Sequence, residues 1–438
     1  MRTMRIAMKG MTPGSWIQAV AAVMLMSVLV ACGGGGGSGG SSSSGGSSAL
    51  NGGSLPPSPN QTPIVPEVSN TAPIAVGPGL SSVANLPMVS VTICVPGGTP
   101  HDCQDIDNVQ LDTGSFGLRL VAAKINPALL QTFPISTING TQLAECANFA
   151  DGYTWGTVRT AVVAIGGEET TNAIPIQIIG DLLTSSTPTQ GCSGTAENTA
   201  ADLGASGILG IGPAPVDCGA TCATPSTAAT YSNYFVCPGG VVPCSRATVP
   251  VSQQVANPVA NFPTNNNGVI VQLPAVPDTG ASSVSGTLVF GVNTQSNNIV
   301  SSSAQNFITD QWGNMNHSVY NGATVQAFLD SGSNAYFFFD NTLTQCGSNY
   351  AGFYCPPNAQ TRSVTLGGQD IGRGDAVLGI LSASTLFGSS NNLAFRDLAG
   401  QLGANGEFDL GLPFFFGRYV YYGFDQTATG GPAPFVAF

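Results

Sequence analysis

Two short turns, Asp112-Thr113-Gly114-Ser115 and Asp330-Ser331-Gly332-Ser333, constrain this chain more than any other feature. Val109-Gln110-Leu111 leads into the first and Ala327-Phe328-Leu329 into the second. Each therefore reads as a strand ending in a tight turn that presents a carboxylate. The two carboxylates stand 218 positions apart, room enough for two similar lobes meeting on an axis. Two such groups at one site cannot both ionise cheaply, so they share a proton. One then acts as general base toward a water and the other as general acid, which allows peptide hydrolysis without a metal or a covalent intermediate. Asp112 and Asp330 are accordingly the candidate catalytic pair, and Gly114 and Gly332 let the two loops approach closely. A third tripeptide, Asp278-Thr279-Gly280, follows Pro274-Ala275-Val276-Pro277. Two prolines argue against a central strand there, so Asp278 reads as a turn residue ahead of the strand Thr287-Leu288-Val289-Phe290.

Other segments follow the two turns in order. Gly207-Ile208-Leu209-Gly210-Ile211-Gly212 lies after the first, and Phe408-Asp409-Leu410-Gly411-Leu412-Pro413-Phe414 after the second. The spacings are comparable, 97 residues from Asp112 to Leu209 and 80 from Asp330 to Leu410. Tyr419-Val420-Tyr421-Tyr422-Gly423-Phe424-Asp425 comes next. The order resembles the pepsin-like aspartic proteases, in which each lobe pairs a D-[ST]-G turn with a hydrophobic-hydrophobic-Gly strand. Phe149-Ala150-Asp151-Gly152-Tyr153-Thr154-Trp155 resembles that family's flap, and Gly286 to Gly291 its strand opening the second lobe. The resemblance covers roughly residues 85–438. It implies an all-β, bilobal fold with a cleft between pseudo-symmetric lobes. Thr113, Gly114, Ser115, Ser331, Gly332 and Ser333 would support the dyad, with both serines bonding the outer carboxylate oxygens. Phe149, Asp151, Gly152, Tyr153 and Trp155 would form a flap that excludes water and clamps an extended peptide.

The departures are specific. The family's flap tyrosine falls on Phe149, with Tyr153 four residues on, and the tryptophan that bonds it falls on Arg119. Phe116 replaces a serine, and Asp409 occupies a hydrophobic position. Phe149 and Arg119 together remove both ends of one interaction, which reads either as a rebuilt flap or as a lost activity.

Residues 1–31 read as a targeting segment. Arg2, Arg5 and Lys9 precede a mostly apolar stretch, Ser15 to Val30, too short for a comfortable membrane span. It ends in Leu29-Val30-Ala31-Cys32, which resembles a bacterial lipoprotein signal cleaved before a lipidated Cys32. Gly33 in place of an aspartate points to the outer membrane of a Gram-negative cell. Residues 33–48 are Gly and Ser and residues 54–80 are Pro-rich, so 32–84 reads as a tether. No Lys or Arg occurs between Cys32 and Val95, which disfavours a basic pro-segment.

The chain carries a net charge of −12, and cleavage would leave about −15, with Lys124 the one remaining lysine. That excludes a basic nucleic-acid footprint. Membrane attachment would come from the lipid, since an acidic surface repels anionic lipid. Only 8% of residues are charged, against about 25% in typical domains. Eleven cysteines minus Cys32 leave an even ten, suited to an oxidising compartment. Near neighbours suggest Cys94 with Cys103, Cys218 with Cys222, Cys237 with Cys244 and Cys346 with Cys355, leaving Cys146 and Cys192; connectivity stays open. His101 and His317 are the two histidines and form no ligand pair with Cys218 and Cys222, so no metal and no cofactor is expected. Neither sits in a serine-triad context.

The mature chain exceeds one ordinary core. Residues 85–215 read as the N-terminal lobe, 216–267 as a Cys-rich insertion and 268–438 as the C-terminal lobe. Arg159 to Ile165 and Ile174 to Ile179 read as strands, the latter an edge or strand start because of Pro175, and Asn126 to Gln131 as a short helix. Three functions compete: an anchored aspartic endopeptidase, a non-catalytic peptide or glycan binder on the same fold, and a structural surface lipoprotein. A peptide or protein in the cleft, the membrane through its lipid and a monomeric state are the expected partners. Replacing Cys32 by Ser is expected to release the protein from the membrane fraction or block its maturation. A processed Cys32→Ser variant that still sediments with membranes like the parent would overturn the lipid anchor.

Overall fold

The motif strands form because their apolar residues alternate or run continuously up to each turn. Cys103–Asp112 becomes fully buried over its last four residues, and Ala323–Asp330 does the same. The computed structural model describes residues 53–99, 101–238, 244–388, 391–402 and 406–438. Cys32 and the signal segment lie outside them. No helix among the described residues is long and apolar enough to cross a membrane.

The chain is all-β in two lobes. An antiparallel sheet joins them, in the order Pro87–Cys94, Thr71–Val76, Val284–Phe290, Gly268–Gln272, Tyr419–Gly423, Phe435–Ala437, Asn306–Ile308. The C-terminal lobe adds a seven-stranded sheet that contains Ala323–Asp330 and Glu407–Gly411. A single apolar cluster runs through both lobes, with Leu111, Leu209, Leu329, Leu410 and Phe414 all buried in it. Each such side chain stabilises the fold by about 1.5–3 kcal/mol relative to exposure.

Each lobe builds its turn the same way. Gly207–Ile211 passes between Cys103–Asp112, to which it is parallel, and Phe116–Val121, to which it is antiparallel, placing Gly210 beside Asp112. Glu407–Gly411 passes likewise between Ala323–Asp330 and Tyr336–Phe338, placing Gly411 beside Asp330. A Cβ on Gly210 would stand 2.5 Å from the Phe116 nitrogen, and one on Gly411 2.1 Å from the Ala335 oxygen. The hydrophobic-hydrophobic-Gly pattern thus records how tightly a strand threads each turn.

Several expectations change. The tether does not reach residue 84. The Gln61 N–H donates to the Gly417 oxygen (2.9 Å), and Thr71–Val76 is a strand paired along its whole length with Val284–Phe290. Pro73 is tolerated because only two of its strand's residues have a second partner strand. Ile174–Ile179 is interior, between Gly152–Ile165 and Phe116–Val121, with Pro175 near its start. The C-terminal lobe contributes five strands to the joining sheet, so the cut at 268 does not separate two independent sheets. The described part of the Cys-rich insertion is ordered, and its Tyr234–Val236 pairs with Thr141–Asn148. The short helix is Pro127–Leu130, capped by the Asn126 side chain, which accepts from the Ala128 N–H. Asp278 and Thr279 form a turn, as expected, closed by the Gly280 N–H to the Pro277 oxygen (2.8 Å). All five disulfides form, Cys94–Cys103, Cys146–Cys192, Cys218–Cys222, Cys237–Cys244 and Cys346–Cys355.

Asn85 straps the segment before Pro87 to the other lobe. Its Nδ2 donates to the Asn334 oxygen (2.9 Å) and the Phe395 oxygen (2.8 Å), and its Oδ1 accepts from the Phe395 N–H (2.7 Å). Its φ of +55° is one that asparagine tolerates better than most residues. Asn85→Ala is expected to lower stability by about 2–4 kcal/mol, because it strands buried backbone groups. The urea midpoint should fall at unchanged slope; a change within about 0.5 kcal/mol would show that the strap is incidental.

Candidate active site

The two turns interlock through side-chain hydroxyls. The Thr113 N–H donates to Ser331 Oγ (3.1 Å), and the Ser331 N–H donates to Thr113 Oγ1 (2.8 Å). Each hydroxyl then donates across the axis, Ser331 Oγ to the Leu111 oxygen (2.8 Å) and Thr113 Oγ1 to the Leu329 oxygen (3.3 Å). This grip fixes the carboxyls. Asp112 Oδ1 accepts from the Gly114 N–H (2.8 Å) and Oδ2 from Ser115 Oγ (2.5 Å). Asp330 Oδ1 accepts from the Gly332 N–H (2.7 Å) and Oδ2 from Ser333 Oγ (2.9 Å). Asp112 lies within hydrogen-bond reach of Asp330. A Cβ on Gly114 would stand 2.5 Å from the Asp330 carboxyl carbon, so glycine there is obligatory.

Both carboxyls are fully buried. Burial, and then the Asp112 charge, push the Asp330 carboxyl well above the usual carboxylate range, against the pull of the Ser333 hydroxyl and the Gly332 N–H. The pair is built to hold one proton between two carboxyls. A cavity of about 240 Å³ borders it at Thr113 and Gly114, walled by Phe116, Trp312, Phe328 and Tyr422.

The dyad-supporting residues come together; the flap side chains do not join them. Phe149 packs into an apolar cluster with Leu86, Met88, Leu203 and Ile208. Trp155 is buried against Phe235, and its Nε1 donates to Ser186 Oγ (3.0 Å). Half-buried Tyr153 packs beside that cluster and Asp151 is half-buried at the hairpin tip. Gly152 is buried against Thr195, where a Cβ would stand 2.4 Å from the backbone oxygen. The hairpin is braced on both sides, by Thr195–Ala196 and the Cys146–Cys192 disulfide on one and by Tyr234–Val236 on the other.

Arg119 still ties this hairpin to the lobe, by charge. Its guanidinium donates to Glu145 Oε1 (2.6 Å), Asp217 Oδ2 (3.0 Å) and the Phe116 oxygen (2.7 Å). Tyr234 OH donates to Asp217 Oδ1 (2.5 Å). One cation faces two acids in a dry site, and burial pushes the Glu145 carboxyl well above the usual carboxylate range, against the pull of Arg119.

Sequence reasoning missed Gln110 and Tyr422. Gln110 Nε2 donates to the Gly332 oxygen (2.9 Å), and Tyr422 OH reaches Thr113 Oγ1 and the Leu329 oxygen, each at 3.0 Å. Gln110 was legible as a polar residue two positions before Asp112 in an apolar run.

The site and the fold together define a two-lobed, two-aspartate scaffold. Residues 66–438 match the family described as "Protein of unknown function (DUF3443)", and the chain belongs to that family. Among solved structures it is similar to the aspartic proteinase from Irpex lacteus, at 17% identity and a TM-score of 0.46, covering 84% of this chain and 96% of that one. No curated protein matches it.

Because Thr113 and Ser331 do one job in opposite lobes, Thr113→Ser and Ser331→Thr are expected to keep the thermal midpoint near that of the parent. Ser331→Ala should cost about 2–4 kcal/mol, since it strands the Thr113 N–H and the Leu111 oxygen. Equal loss from Ser331→Thr and Ser331→Ala would refute the grip.

Proposed function

We propose that this protein is a lipid-anchored aspartic endopeptidase of the bacterial envelope, held at the outer membrane through Cys32 and acting as a monomer on peptide or protein substrates. The carrying observation is the pair Asp112 and Asp330, presented on matching turns and locked by reciprocal hydroxyl bonds. In the working state the pair holds one proton. Asp330, whose carboxyl is pushed up by burial and by Asp112, keeps that proton and donates it to the scissile amide. Asp112, oriented by the Gly114 N–H and Ser115, takes the proton of the attacking water. The bordering cavity supplies apolar and aromatic walls for a substrate side chain. No metal, cofactor or nucleic acid enters this reading.

A non-catalytic peptide binder is the second reading. Its support is the complete burial of both carboxyls and the bracing of the hairpin on either side.

The test is cleavage of a diverse peptide library across acid and neutral pH by the Cys32→Ser protein, with pepstatin as inhibitor. Shortening the chain to residue 80 would remove the strand Thr71–Val76, so truncation is avoided. Asp112→Asn and Asp330→Asn are each expected to abolish hydrolysis. Asp278→Asn should retain it while losing some stability, because Asp278 Oδ1 accepts from the Arg396 guanidinium (2.5 Å) far along the chain from both turns. A folded-state carboxyl raised above its unfolded value is protonated at acid pH and ionises as pH rises. Activity is thus expected at pH values where Asp330 keeps its proton, and to fall as pH rises through its folded pKa. Activity surviving Asp330→Asn would overturn the dyad; a parent that binds peptides without cleaving any would establish the binder.

A further inference from the structure

The Pro-rich segment after Gly53 is bound along the C-terminal lobe at several points. Thr361 Oγ1 donates to the Ser54 oxygen (3.0 Å), and the Ile64 N–H donates to Gln272 Oε1 (2.9 Å). Between these points the segment straddles Arg418. The Gln61 N–H donates to the Gly417 oxygen (2.9 Å), and Gln61 Oε1 accepts from the Tyr419 N–H (2.7 Å). The approach is so close that a Cβ on Gly417 would stand 2.1 Å from the Pro59 oxygen. Docked this way, Pro56 and Pro59 form one wall of a groove of about 510 Å³. Val377 forms another, on the strand Arg373–Ile380 at the edge of the seven-stranded sheet. Phe414, Arg418 and Tyr421 also line it. The groove shares no residue with the cavity beside the dyad.

Arg119, Arg159, Arg362 and Arg396 each meet a carboxylate. Arg418 is half-buried and meets none among the described residues. Its Nη1 donates to the Phe414 oxygen (2.6 Å), and its guanidinium carbon lies 4.0 Å from the centroid of the Phe414 ring. Nε and Nη2 have no acceptor among the described residues. Unlike Arg119 Nε and Arg396 Nε, they are not sealed from solvent. Together these two nitrogens form one side of the guanidinium fork, whose parallel N–H groups match the two oxygens of a carboxylate. Asp375, the acid that lines the groove, is exposed and accepts from Thr365 Oγ1 (2.7 Å). Burial first, and the Arg396 charge in the same sense, disfavour the Arg418 cation, against the pull of Tyr336. A half-buried cation of this kind gains from an anion brought to it.

We propose that this groove is a second binding site, for a small organic acid with an apolar body. Arg418 Nε and Nη2 take the carboxylate side-on, and the proline and aromatic walls take the body. The site stands apart from the protease reading and does not depend on it. Three features of the lining select this class of ligand. One free fork suits one carboxylate. Proline rings, Val377, Phe414 and Tyr421 favour hydrocarbon next to that charge, and the volume falls in the range of about 300–1,000 Å³ usual for small-molecule sites. Asp375 on the lining, in a chain of net charge −12, disfavours a ligand with several negative charges. A ligand held here bridges the Pro-rich segment and the lobe, so binding also secures that attachment.

The test is calorimetric titration of the full-length protein with phenylacetate, which is expected to saturate below about 10 mM. The Arg418 Nε–H resonance should shift along the same saturation curve. Arg418→Lys keeps the charge and loses the fork, and should weaken binding about tenfold. Arg418→Gln should remove it. Phenylacetamide, with the same body and no charge, should not bind. Acetate, with the charge and almost no body, should bind about tenfold more weakly than phenylacetate. Absence of saturation, equal affinity for acetate, or affinity unchanged in both Arg418 variants overturns the site, whether or not the protein cleaves peptides. Binding of a peptide through its free C-terminal carboxylate with no binding of phenylacetate overturns the choice of ligand. Should Arg418→Gln fail to fold, Arg418→Lys carries the comparison.

Discussion

Everything distinctive in this molecule depends on two hydroxyls that cross between its lobes. Thr113 Oγ1 and Ser331 Oγ each accept a backbone N–H from the opposite turn and donate to the carbonyl just before the opposite aspartate. All of the groups are buried, so each bond forgone would leave a donor or acceptor dry and unmet, which costs more than a typical bond contributes. The lobes are therefore fixed where it matters, and two carboxyls that would repel as a pair of charges are held together as a pair sharing a proton. Tyr422 and Gln110 brace the same point from the joining sheet and from the first motif strand.

A chain with few charged residues places many of them inside. Arg119 meets Glu145 and Asp217 in one dry cluster, Arg396 meets Asp278 and Asp397 in another, and Asp112, Asp330 and Asp409 gather in a third. The first two contain a cation and the third does not. A buried cation–acid cluster offsets part of its own charge and holds elements together. A buried acid cluster without one must keep protons, which is the condition for acid–base work. Burial also lifts the Asp397 carboxyl to about 7, with Arg396 pulling against it, so even a paired acid here sits near neutrality.

The hairpin that the sequence likens to a flap shows how one substitution is absorbed by others. With Phe149 and Arg119 in place, a hydroxyl-to-indole bond is impossible, and the connection is rebuilt as an ion cluster at the base of the hairpin. Glu145 comes from the hairpin and Asp217 from the Cys-rich segment. The tip is then carried by apolar packing of Phe149 and by the Cys146–Cys192 bridge. Thr195–Ala196 on one strand and Tyr234–Val236 of the Cys-rich segment on the other enclose the hairpin within a wider sheet.

The sequence by itself determined the features whose causes are local. An aspartate followed by a hydroxyl residue and glycine forms a turn wherever it ends a buried strand. A glycine after two hydrophobic residues marks a threaded strand, and two prolines before Asp278 demote that copy to a loop. Cysteines four to nine residues apart suggested four pairs by proximity, and those four bridges form. The tertiary structure decided what depends on partners far along the chain. Thr71–Val76 hides among prolines because its pairing comes from Val284–Phe290, more than two hundred residues away. Trp155 reads as a flap residue until Phe235 and Ser186 close around it. Asp409 reads as an oddity in a hydrophobic motif until the register lays it beside Asp330. Local geometry is written in neighbouring residues, but burial and charge are properties of what the fold brings alongside, and those set whether a carboxyl holds its proton.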